Sequence, residues 1–391
     1  MGRMAVAILL ESTKINSITI ADINITLANA IVELTGSNKL TATQIDVTDR
    51  KKLVELMVSH DIVINTVGPY YKFGKPILEA AIEAKKPYFD ICDDWRPTLE
   101  LLELSDKAKE AGITAIIGIG ASPGLTNLMA VLAYNELDEV DEIVTGWGIG
   151  KYKHNRRPRH YITGKRLKEK FGPPPPRPNA ALVHLFYESI DKIPTFKDGK
   201  LIDIDALTEE EPLKFPGFKT KYVCHIGHPE PVTLPRTLKA KKISNLMYLG
   251  KTITKIVRKY AKMITNKEWT IDDAAIKLEK RENSLLALLL LLKEYIRSPP
   301  ELIAIATGYK DKKRKKVAIG AYRGPYGLMA GITGVPLAVA TLMYIDGKIT
   351  RKGVLTPEES IDPDGFFDIY APYCGENLSG KDVLIKRIVD L

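Results

Sequence analysis

The chain has 391 residues, of which 45% are apolar and 27% are charged. A chain of this length and composition can bury a full core and form two domains, which argues against a disordered tail or a lone binding module. Its three cysteines, Cys92, Cys224 and Cys374, lie far apart and form no CxxC pair, so they indicate neither a disulfide framework nor a structural zinc site. This pattern favours a reducing, cytoplasmic location.

The net charge of +9 is distributed unevenly along the chain. Residues 1–150 carry 13 Lys and Arg against 21 Asp and Glu, whereas residues 151–391 carry 44 against 27. Basic density is highest at Lys151 to Lys170, Arg236 to Lys262 and Lys310 to Lys316. Such runs can bind nucleic acid, an anionic membrane surface or a carboxylate-rich substrate, although most lysine-rich faces are only solvated. We favour a solvated surface and expect neither a nucleic-acid partner nor a membrane partner.

The apolar segments are too short to cross a membrane. The longest run, Leu285 to Leu292, has eight residues, whereas a membrane-spanning helix needs about 20. We expect this run to form a buried helix. The N-terminal stretch is apolar, but Glu11 follows it and no cleavage-type site is present, which argues against a signal peptide.

The first 120 residues alternate short β-type runs with helical periodicity, which predicts a parallel sheet covered on both faces, in doubly wound order. The predicted strands are Ser17 to Ala21, Ala42 to Val47, Ile62 to Thr66, Tyr88 to Cys92 and Thr114 to Gly118. The predicted helices are Arg3 to Glu11, Asp49 to His60, Lys75 to Lys85 and Pro97 to Ala111, and a further helix is expected to open with Ser122 as N-cap and Pro123 at its first position.

Beyond Asp141 the pattern changes to strands separated by basic loops rich in glycine and proline. The run Gly172 to Pro176 is stiff and cannot continue a helix. Met329 to Met343 is apolar and rich in small residues, which predicts a helix that packs tightly against the first domain.

The N-terminal residues indicate a dinucleotide-binding turn that is cut short. Gly2 and Arg3 open a helix-like stretch, and Asp22 ends the next predicted strand 20 residues after Gly2, the usual distance of about 20 to the carboxylate that binds the adenosine ribose. Gly2 therefore corresponds to the last glycine of G-x-G-x-x-G, unless it is only a disordered terminal residue. We expect the start codon to lie upstream; the alternative is a defective product. Ile23, rather than an arginine, follows Asp22, which favours NAD over NADP.

Two further segments lie where ligands of open α/β sheets bind, at the carboxyl ends of the strands. Asp46 and Val47 end the second predicted strand, and Asp46 either faces the adenine edge or caps the helix that begins near Asp49. The loop Thr66-Val67-Gly68-Pro69, followed by Tyr70, leaves the third predicted strand and is either a cofactor contact or a plain tight turn.

Four stretches in this order carry a resemblance to a known family. They are INTVGPYYKFGKPILEAAIEAKKPYFDICDD, IIGIGASPGLTNLMA, GHPEPVTLPR and MAGITGVPLAVA. The combination resembles the saccharopine dehydrogenase family, which includes saccharopine reductases, lysine dehydrogenases and carboxynorspermidine synthases. The truncated glycine loop departs from that family's pattern.

The resemblance implies a fold class and an organisation. The fold is α/β, a Rossmann-type doubly wound parallel sheet whose first strand is truncated, with an inserted mixed α/β substrate domain. Residues 1–142 and 329–391 would then form the dinucleotide-binding domain, and residues 143–328 the substrate and dimerisation domain of a homodimer. The activity implied is hydride transfer between NAD or NADP and a carbon bonded to nitrogen, with the nicotinamide near Gly68 to Tyr70 and the PGLTN turn. Tyr70 and Asn127 would then contact the substrate.

Several residues offer the chemistry that such a reaction needs. The turn from Ser122 to Asn127 either offers free amides to an anion or simply starts a helix. Asp90, Asp93 and Asp94 cluster after a strand, where mutual repulsion can raise one pKa and make Asp93 a proton-transfer group; solvated carboxylates are the plain alternative.

The densest set is His225, His228, Glu230 and Arg236, all within twelve residues. His228 can take the proton released when an amine is oxidised, Glu230 can hold an ammonium group and Arg236 a carboxylate. Structural histidines beside a turn are the alternative. Zinc binding by this set is a rival interpretation, but the intervening glycine and proline break helical geometry, so we predict no metal. Arg323 is a second candidate for binding a carboxylate.

These observations lead to three hypotheses. The first is an NAD(P)-dependent oxidoreductase that acts on the CH–NH or CH–NH₂ group of a small amino-acid-type substrate such as saccharopine or lysine. The second is a catalytically inactive dinucleotide-binding protein of the same fold, for which the truncated loop is the support. Nucleic-acid or membrane association through the basic runs ranks last.

Overall fold

The computed structural model describes residues 1–150, 153–154, 157–172, 180–282 and 294–391. Within these ranges the chain forms two compact units. The first unit contains Met1–Leu125, Arg323–Val383 and a segment between residues 154 and 175, and the second contains Thr126–Lys153, Leu384–Leu391 and the residues between 176 and 322. The units thus divide the chain at residues other than the predicted domain limits of 142 and 328.

The strands and helices are numbered along the chain. The strands are β1 (Ile18–Asp22), β2 (Leu40–Gln44), β3 (Val63–Asn65), β4 (Tyr88–Asp90), β5 (Thr114–Ile116), β6 (Glu139–Gly148), β7 (Lys153–His154), β8 (Lys192–Lys197), β9 (Lys200–Asp205), β10 (Glu209–Leu213), β11 (Lys221–His225), β12 (Lys242–Tyr248), β13 (Leu302–Lys310), β14 (Lys313–Ala321), β15 (Arg323–Gly324), β16 (Gly353–Leu355) and β17 (Leu384–Asp390). The helices are α1 (Gly2–Leu10), α2 (Ile25–Thr35), α3 (Arg50–Val58), α4 (Tyr70–Glu83), α5 (Trp95–Leu102), α6 (Ser105–Glu110), α7 (Leu125–Tyr134), α8 (Gly164–Phe171), α9 (Ala180–Tyr187), α10 (Glu230–Thr233), α11 (Lys251–Thr265), α12 (Ile271–Glu282), α13 (Met329–Ile345), α14 (Pro357–Ser360), α15 (Pro363–Cys374) and α16 (Gly380–Val383).

The first unit is built on parallel strands in two groups. β1 pairs with β2, and a separate sheet has the order β16-β5-β4-β3 with every pair parallel. Helices connect the strands, as parallel pairing requires. The predicted doubly wound α/β class is confirmed, and each of the five predicted strands is present within three residues of its expected bounds.

Helix α2 was missed by the sequence analysis, which placed no helix between the first two strands. Its signals are ordinary ones: the Asn24 side chain accepts a hydrogen bond from the Leu27 amide at 3.0 Å, and Gly36, with φ of 66°, ends the helix in the left-handed region. The predicted helix from Pro97 to Ala111 is two helices, α5 and α6. The predicted helix from Lys75 begins earlier, at Tyr70.

Helix α13 confirms the prediction of a buried helix rich in small residues, and it packs on α1 within the first unit. Gly334 allows the close approach, because a Cβ atom there would lie 2.7 Å from the Met1 carbonyl oxygen and 2.8 Å from Cβ of Met4. Contacts this short cannot exist without movement of one backbone against the other.

The second unit is a mixed sheet covered by helices. Among the described residues it has nine strands, seven of which follow the order β10-β11-β12-β6-β13-β14-β17, while β8 pairs with β12 and β9. Only β12 and β6 run parallel within this set of pairs. The last strand, β17, pairs with β14, so the C-terminal residues belong to this unit and the segment 329–391 is divided between the two units.

Two sequence predictions lie outside the described residues: the predicted helix at Leu285 to Leu292 and most of the proline run from Gly172 to Pro176. In the part of the chain that the structure describes, no helix has both the length and the apolar character needed to cross a membrane.

We expect Gly334→Ala to lower the free energy of unfolding by about 1–3 kcal/mol, because the added methyl group must separate α13 from α1. Gly164→Ala is the matched control, since a Cβ atom at Gly164 meets no atom within 4 Å. Thermal unfolding of the two variants beside the parent chain measures the difference. Equal midpoints for the two variants would contradict the packing argument.

Candidate functional site

In the first unit, several predicted cofactor residues lie at the carboxyl ends of the parallel strands. Helix α1 begins at Gly2, and a Cβ atom on Gly2 would lie 2.8 Å from Oγ1 of Thr66, so the start of the helix lies directly against the loop that follows β3. Arg3, the next residue, donates a hydrogen bond to the Ile162 carbonyl at 2.9 Å. Glycine is therefore required sterically where the helix N-terminus meets this loop.

The two acidic residues predicted to face the adenosine follow neighbouring strands. Asp22 ends β1, is exposed, and accepts a hydrogen bond from the Asn24 amide at 2.8 Å. Asp46, which lies with Val47 after β2, accepts bonds from the Thr48 hydroxyl at 2.7 Å and amide at 2.9 Å, and these bonds lower the pKa of its carboxyl. Asp46 does not cap α3, because that role belongs to Asp49.

The loop from Thr66 to Pro69 is held by a buried hydrogen-bond network. Asn65 accepts a bond from the Val67 amide at 2.8 Å and donates one to the Tyr88 hydroxyl at 2.8 Å. The Tyr70 hydroxyl donates to the Asn65 carbonyl at 3.1 Å and accepts from the Ile91 amide at 3.3 Å. Tyr70, which the sequence predicted to contact the substrate, is buried, and its hydroxyl group helps to hold the loop.

Asp90 is the centre of this network. Its carboxylate is fully buried and accepts bonds from the Tyr88 hydroxyl at 2.8 Å, the Gly118 amide at 2.8 Å and the Cys92 amide at 3.0 Å. Burial raises the pKa of Asp90 to about 6, and the three donors offset part of that rise. The carboxyl at the end of β4, Asp90, thus has a raised pKa, and the cause is burial rather than mutual repulsion.

The turn that contains Ser122 closes on itself through glycine backbone. The Gly120 amide donates to the Pro123 carbonyl at 3.0 Å, and a Cβ atom on Gly124, whose φ is 117°, would lie 2.3 Å from the Gly120 carbonyl oxygen. Helix α7 begins only at Leu125, so the prediction that Ser122 caps a helix is wrong: the two-glycine bridge occupies those positions.

In the second unit, His228 lies in a buried cluster with two glutamates. Its Nε2 atom is 2.6 Å from Oε1 of Glu188, and its Nδ1 atom is 3.4 Å from Oε2 of Glu230. The same Glu188 oxygen is 2.7 Å from Nε2 of His184. Oε1 of Glu230 accepts a hydrogen bond from the Thr126 hydroxyl at 2.8 Å. His228, Glu188 and Glu230 are each at most 4% exposed, so the charges are shielded from water.

The cluster fixes the charge on its members. Burial alone would raise the pKa of Glu188, but the neighbouring His184 and His228 lower it to about 2. Burial alone would lower the pKa of His228, but Glu188 and Glu230 raise it to about 10. His228 is therefore an imidazolium at neutral pH. The Trp147 indole nitrogen also lies 3.1 Å from His228 Nε2. Because Glu188 is nearer and charged, we assign the hydrogen bond donated by the His228 Nε2–H group to Glu188.

Other members of the predicted set lie elsewhere. His225 pairs with Glu210 at 3.0 Å, a different glutamate from the two that contact His228. Burial lowers the pKa of His225. Arg236 is exposed in the 3₁₀ turn Leu234–Arg236, and Arg323, in the first unit, is half-buried. Asn127 is buried and donates to the Thr233 hydroxyl at 3.3 Å. Of the predicted set, His228 and Glu230 lie in the cluster.

Sequence reasoning missed His184 and Glu188. Their signal is the spacing i, i+4 at the end of α9, which puts both side chains on one face of the helix. His184 Nε2, Glu188 Oε1 and His228 Nε2 lie within 4.8 Å of one another, a donor set that zinc accepts. The separations of 2.6 and 2.7 Å are those of charge-assisted hydrogen bonds, so ion pairing accounts for these contacts in the structure.

Comparison with known proteins finds two family models that match this chain. The family model "Saccharopine dehydrogenase NADP binding domain" matches residues 1–116, and the model "Saccharopine dehydrogenase C-terminal domain" matches residues 187–378. A carboxynorspermidine synthase from Vibrio alginolyticus is 24% identical over 343 residues, covering 80% of this chain and 75% of its own. A carboxynorspermidine synthase from Vibrio cholerae is 26% identical with the same coverage.

A solved structure has a similar fold. The apo histidine-tagged saccharopine dehydrogenase (L-Glu forming) from Saccharomyces cerevisiae matches with a TM-score of 0.61 and 16% identity, covering 100% of this chain and 97% of that one. The nucleotide-binding match indicates a nicotinamide dinucleotide as cofactor. The two family models together span most of the sequence, and we conclude that the chain belongs to the saccharopine dehydrogenase family.

Proposed function

We propose that the chain is an NAD(P)-dependent oxidoreductase that acts on the C–N bond of an amino acid or aminocarboxylate, such as saccharopine, lysine or a related amine. The observation that carries this proposal is the buried cluster of Glu188, His228 and Glu230. The cluster places two buried carboxylates, Glu188 and Glu230, beside His228, and a buried carboxylate such as Glu230 is a group that can pair with an ammonium ion. Names of similar proteins, carboxynorspermidine synthase and saccharopine dehydrogenase, support a substrate of this class.

The first unit supplies residues that fit a dinucleotide. Helix α1 begins at Gly2, and the N-terminus of a helix can bind a pyrophosphate, while Asp22 presents an exposed carboxylate at the end of β1 to a ribose. Thr66 to Pro69 follow β3 at the same edge. When bound, the nicotinamide accepts or donates the hydride. The protein then has to bind and orient the substrate and to exclude water.

His228 acts in this proposal as a proton-bearing cation rather than as a base, because its pKa of about 10 leaves it protonated at neutral pH. It holds Glu188 and Glu230 in place and balances part of their charge. Asp93, half-buried three residues after Asp90, stays the proposed proton-transfer group. Arg236 and Arg323 stay proposed carboxylate contacts.

We further propose that NAD is preferred to NADP, although the matching family model carries NADP in its description. A 2′-phosphate beside the Asp22 carboxylate would be repelled, and the 66% exposed Ile23 offers no compensating charge. The homodimer, the cytoplasmic location and the absence of nucleic-acid and membrane partners also remain proposals.

The activity test follows nicotinamide fluorescence with purified protein, both cofactors and a panel of lysine, saccharopine and other aminocarboxylates. We expect turnover with at least one member, and we expect Glu230→Gln to lower kcat/KM by about tenfold or more, because an amide cannot pair with an ammonium ion. Glu210→Gln, which alters a glutamate paired with His225, is the matched control and should retain activity. Cofactor binding without turnover across the panel would favour the inactive dinucleotide-binding alternative.

Cofactor preference is tested by the double change Asp22→Asn with Ile23→Arg. We expect the ratio of Kd values for NADH and NADPH to shift toward NADPH by about tenfold or more, corresponding to about 1.4 kcal/mol. Asp61→Asn is the control, because Asp61 is an exposed carboxylate that precedes β3 and so lies at its other end. Fluorescence titration gives both constants. Similar ratios for all three proteins would reject Asp22 as the ribose contact.

The charge of the cluster predicts how stability depends on pH. Because the pKa of His228 is raised, its contribution is complete below pH 6.5 and is lost as the pH rises through about 10. The pKa of Glu188 is lowered, so its contribution is lost as the pH falls from 4.5 toward about 2. The difference in unfolding free energy between the parent and His228→Gln should therefore be largest between pH 4.5 and 6.5, at about 3–5 kcal/mol.

His225→Gln is the comparison for this experiment, since the pKa of His225 is lowered and its effect has the opposite sign. Urea unfolding across the pH range gives both differences. A difference for His228→Gln that stayed constant from pH 6 to 10 would show that His228 is not held as an imidazolium.

A further inference from the structure

A chain of buried hydrogen bonds crosses the end of the parallel sheet in the first unit, from the loop after β3 to the residues after β5. The Val67 amide donates to Oδ1 of Asn65 at 2.8 Å, and Nδ2 of Asn65 donates to the Tyr88 hydroxyl at 2.8 Å. That hydroxyl donates to Oδ2 of Asp90 at 2.8 Å, and Oδ1 of Asp90 accepts from the Gly118 amide at 2.8 Å. The chain thus spans three neighbouring strands, β3, β4 and β5.

Each bond in this chain has a fixed direction. A backbone amide can only donate, so Val67 makes Oδ1 of Asn65 an acceptor and turns Nδ2 of the same side chain toward Tyr88. The Tyr88 oxygen accepts from Asn65, and its own proton is left for Asp90. Gly118 is also a backbone donor and requires an acceptor at the other end. An ionised carboxylate at position 90 satisfies both neighbours, because it only accepts.

Burial makes this direction costly to change. Asn65 is 3% exposed, and Tyr88 and Asp90 are fully buried, so water cannot replace a missing partner. With a pKa of about 6, Asp90 is mostly ionised at neutral pH, which is the form that the chain requires. The titratable neighbours Tyr70, Tyr88 and Cys92 are neutral there, because burial raises the pKa of each.

The two ends of the chain lie in segments that follow the carboxyl ends of parallel strands, where ligands of open α/β sheets bind. Val67 belongs to the loop 66–69 after β3, and Gly118 begins the turn 118–124 after β5. The φ of Gly118 is 68°, and a Cβ atom there would lie 2.8 Å from Cγ of Pro123. The Gly118 amide is therefore packed against its own turn, and a bond that holds this amide also holds the turn.

We propose that Asp90 is a positioning residue, which holds the loop 66–69 and the turn 118–124 in one fixed arrangement. It acts on the turn directly and on the loop through Tyr88 and Asn65. The two segments then present a single preformed surface to the nicotinamide end of the dinucleotide. This last step rests on the proposed function, whereas the coupling of the two segments does not.

The test reverses the direction of the hydrogen bonds in the full chain. Asp90→Asn keeps the size of the side chain, but the new amide group faces Tyr88, whose proton then has no acceptor. Adding Asn65→Asp to this variant restores every bond with the opposite direction. The amide at position 90 donates to the Tyr88 oxygen, and the Tyr88 proton goes to the carboxylate at position 65. The Val67 and Gly118 amides keep their acceptors, and the net charge equals that of the parent.

Two measurements follow the variants. Hydrogen exchange of the Val67 and Gly118 amides is measured without cofactor, and fluorescence titration gives the Kd for NADH and NADPH. We expect Asp90→Asn to speed exchange at both amides by about tenfold or more and to raise the Kd by about tenfold or more, and the double variant to return both to within about threefold of the parent. The control is Tyr248→Phe, which removes a buried hydroxyl bonded to the Pro300 carbonyl and should leave both amides unchanged.

Tyr88→Phe keeps the proposal testable if Asp90→Asn does not fold. It interrupts the chain in the middle, so both amides should exchange faster although neither bonds to Tyr88. Parent-like exchange in this variant, or a double variant no better than Asp90→Asn alone, would overturn the proposal. Faster exchange with unchanged Kd values would reject the link to the dinucleotide. If exchange responds as expected but the parent binds neither NADH nor NADPH, the coupling holds and the proposed function is rejected.

Discussion

A carboxylate can remain inside a protein only where donors or cations surround it, and both candidate sites are built on this constraint. In the first unit, Asp90 lies under the strand ends and collects donors from β4, the residues after it and the residues after β5. In the second unit, Glu188 and Glu230 enclose His228. Removing the donors in either place leaves a buried charge, so the surrounding loops and helices have little freedom to move.

The two sites satisfy this constraint in different ways, and the difference sets their chemistry. Asp90 is surrounded by neutral donors, so burial prevails and its pKa rises to about 6. Glu188 has the same depth but faces two imidazole rings, so the opposite charge prevails and its pKa falls to about 2. Asp90 can therefore change its protonation state near neutral pH, whereas Glu188 keeps its charge. Burial among neutral donors thus raises the pKa of a carboxyl group, whereas burial beside cations lowers it.

Glycine serves the same sites by allowing backbones to approach. Gly2 meets Thr66 at the start of α1, and Gly124 meets Gly120 in the turn before α7. In both places a Cβ atom would collide with its neighbour at less than 3 Å. The loops that carry candidate functional residues are thus shaped by backbone contact, and the side chains follow from that geometry.

The sequence by itself determined the alternation of strands and helices, the buried helix α13 and the spacing from Gly2 to Asp22, because these depend on local periodicity and on residue separation along one βαβ unit. It was less informative about ends: Ser122 has the sequence of a helix cap, but a bridge between Gly120 and Gly124 delays α7 to Leu125.

Only the tertiary structure decided which acidic group each histidine meets. His225 and His228 are three residues apart, yet one binds Glu210 and the other binds Glu188, which lies 40 residues earlier at the end of α9. The pKa values of His228, Glu188 and Asp90 could not be predicted from the sequence either. A pKa depends on burial and on the neighbours that folding brings together, and the spacing of residues along the chain determines neither of them.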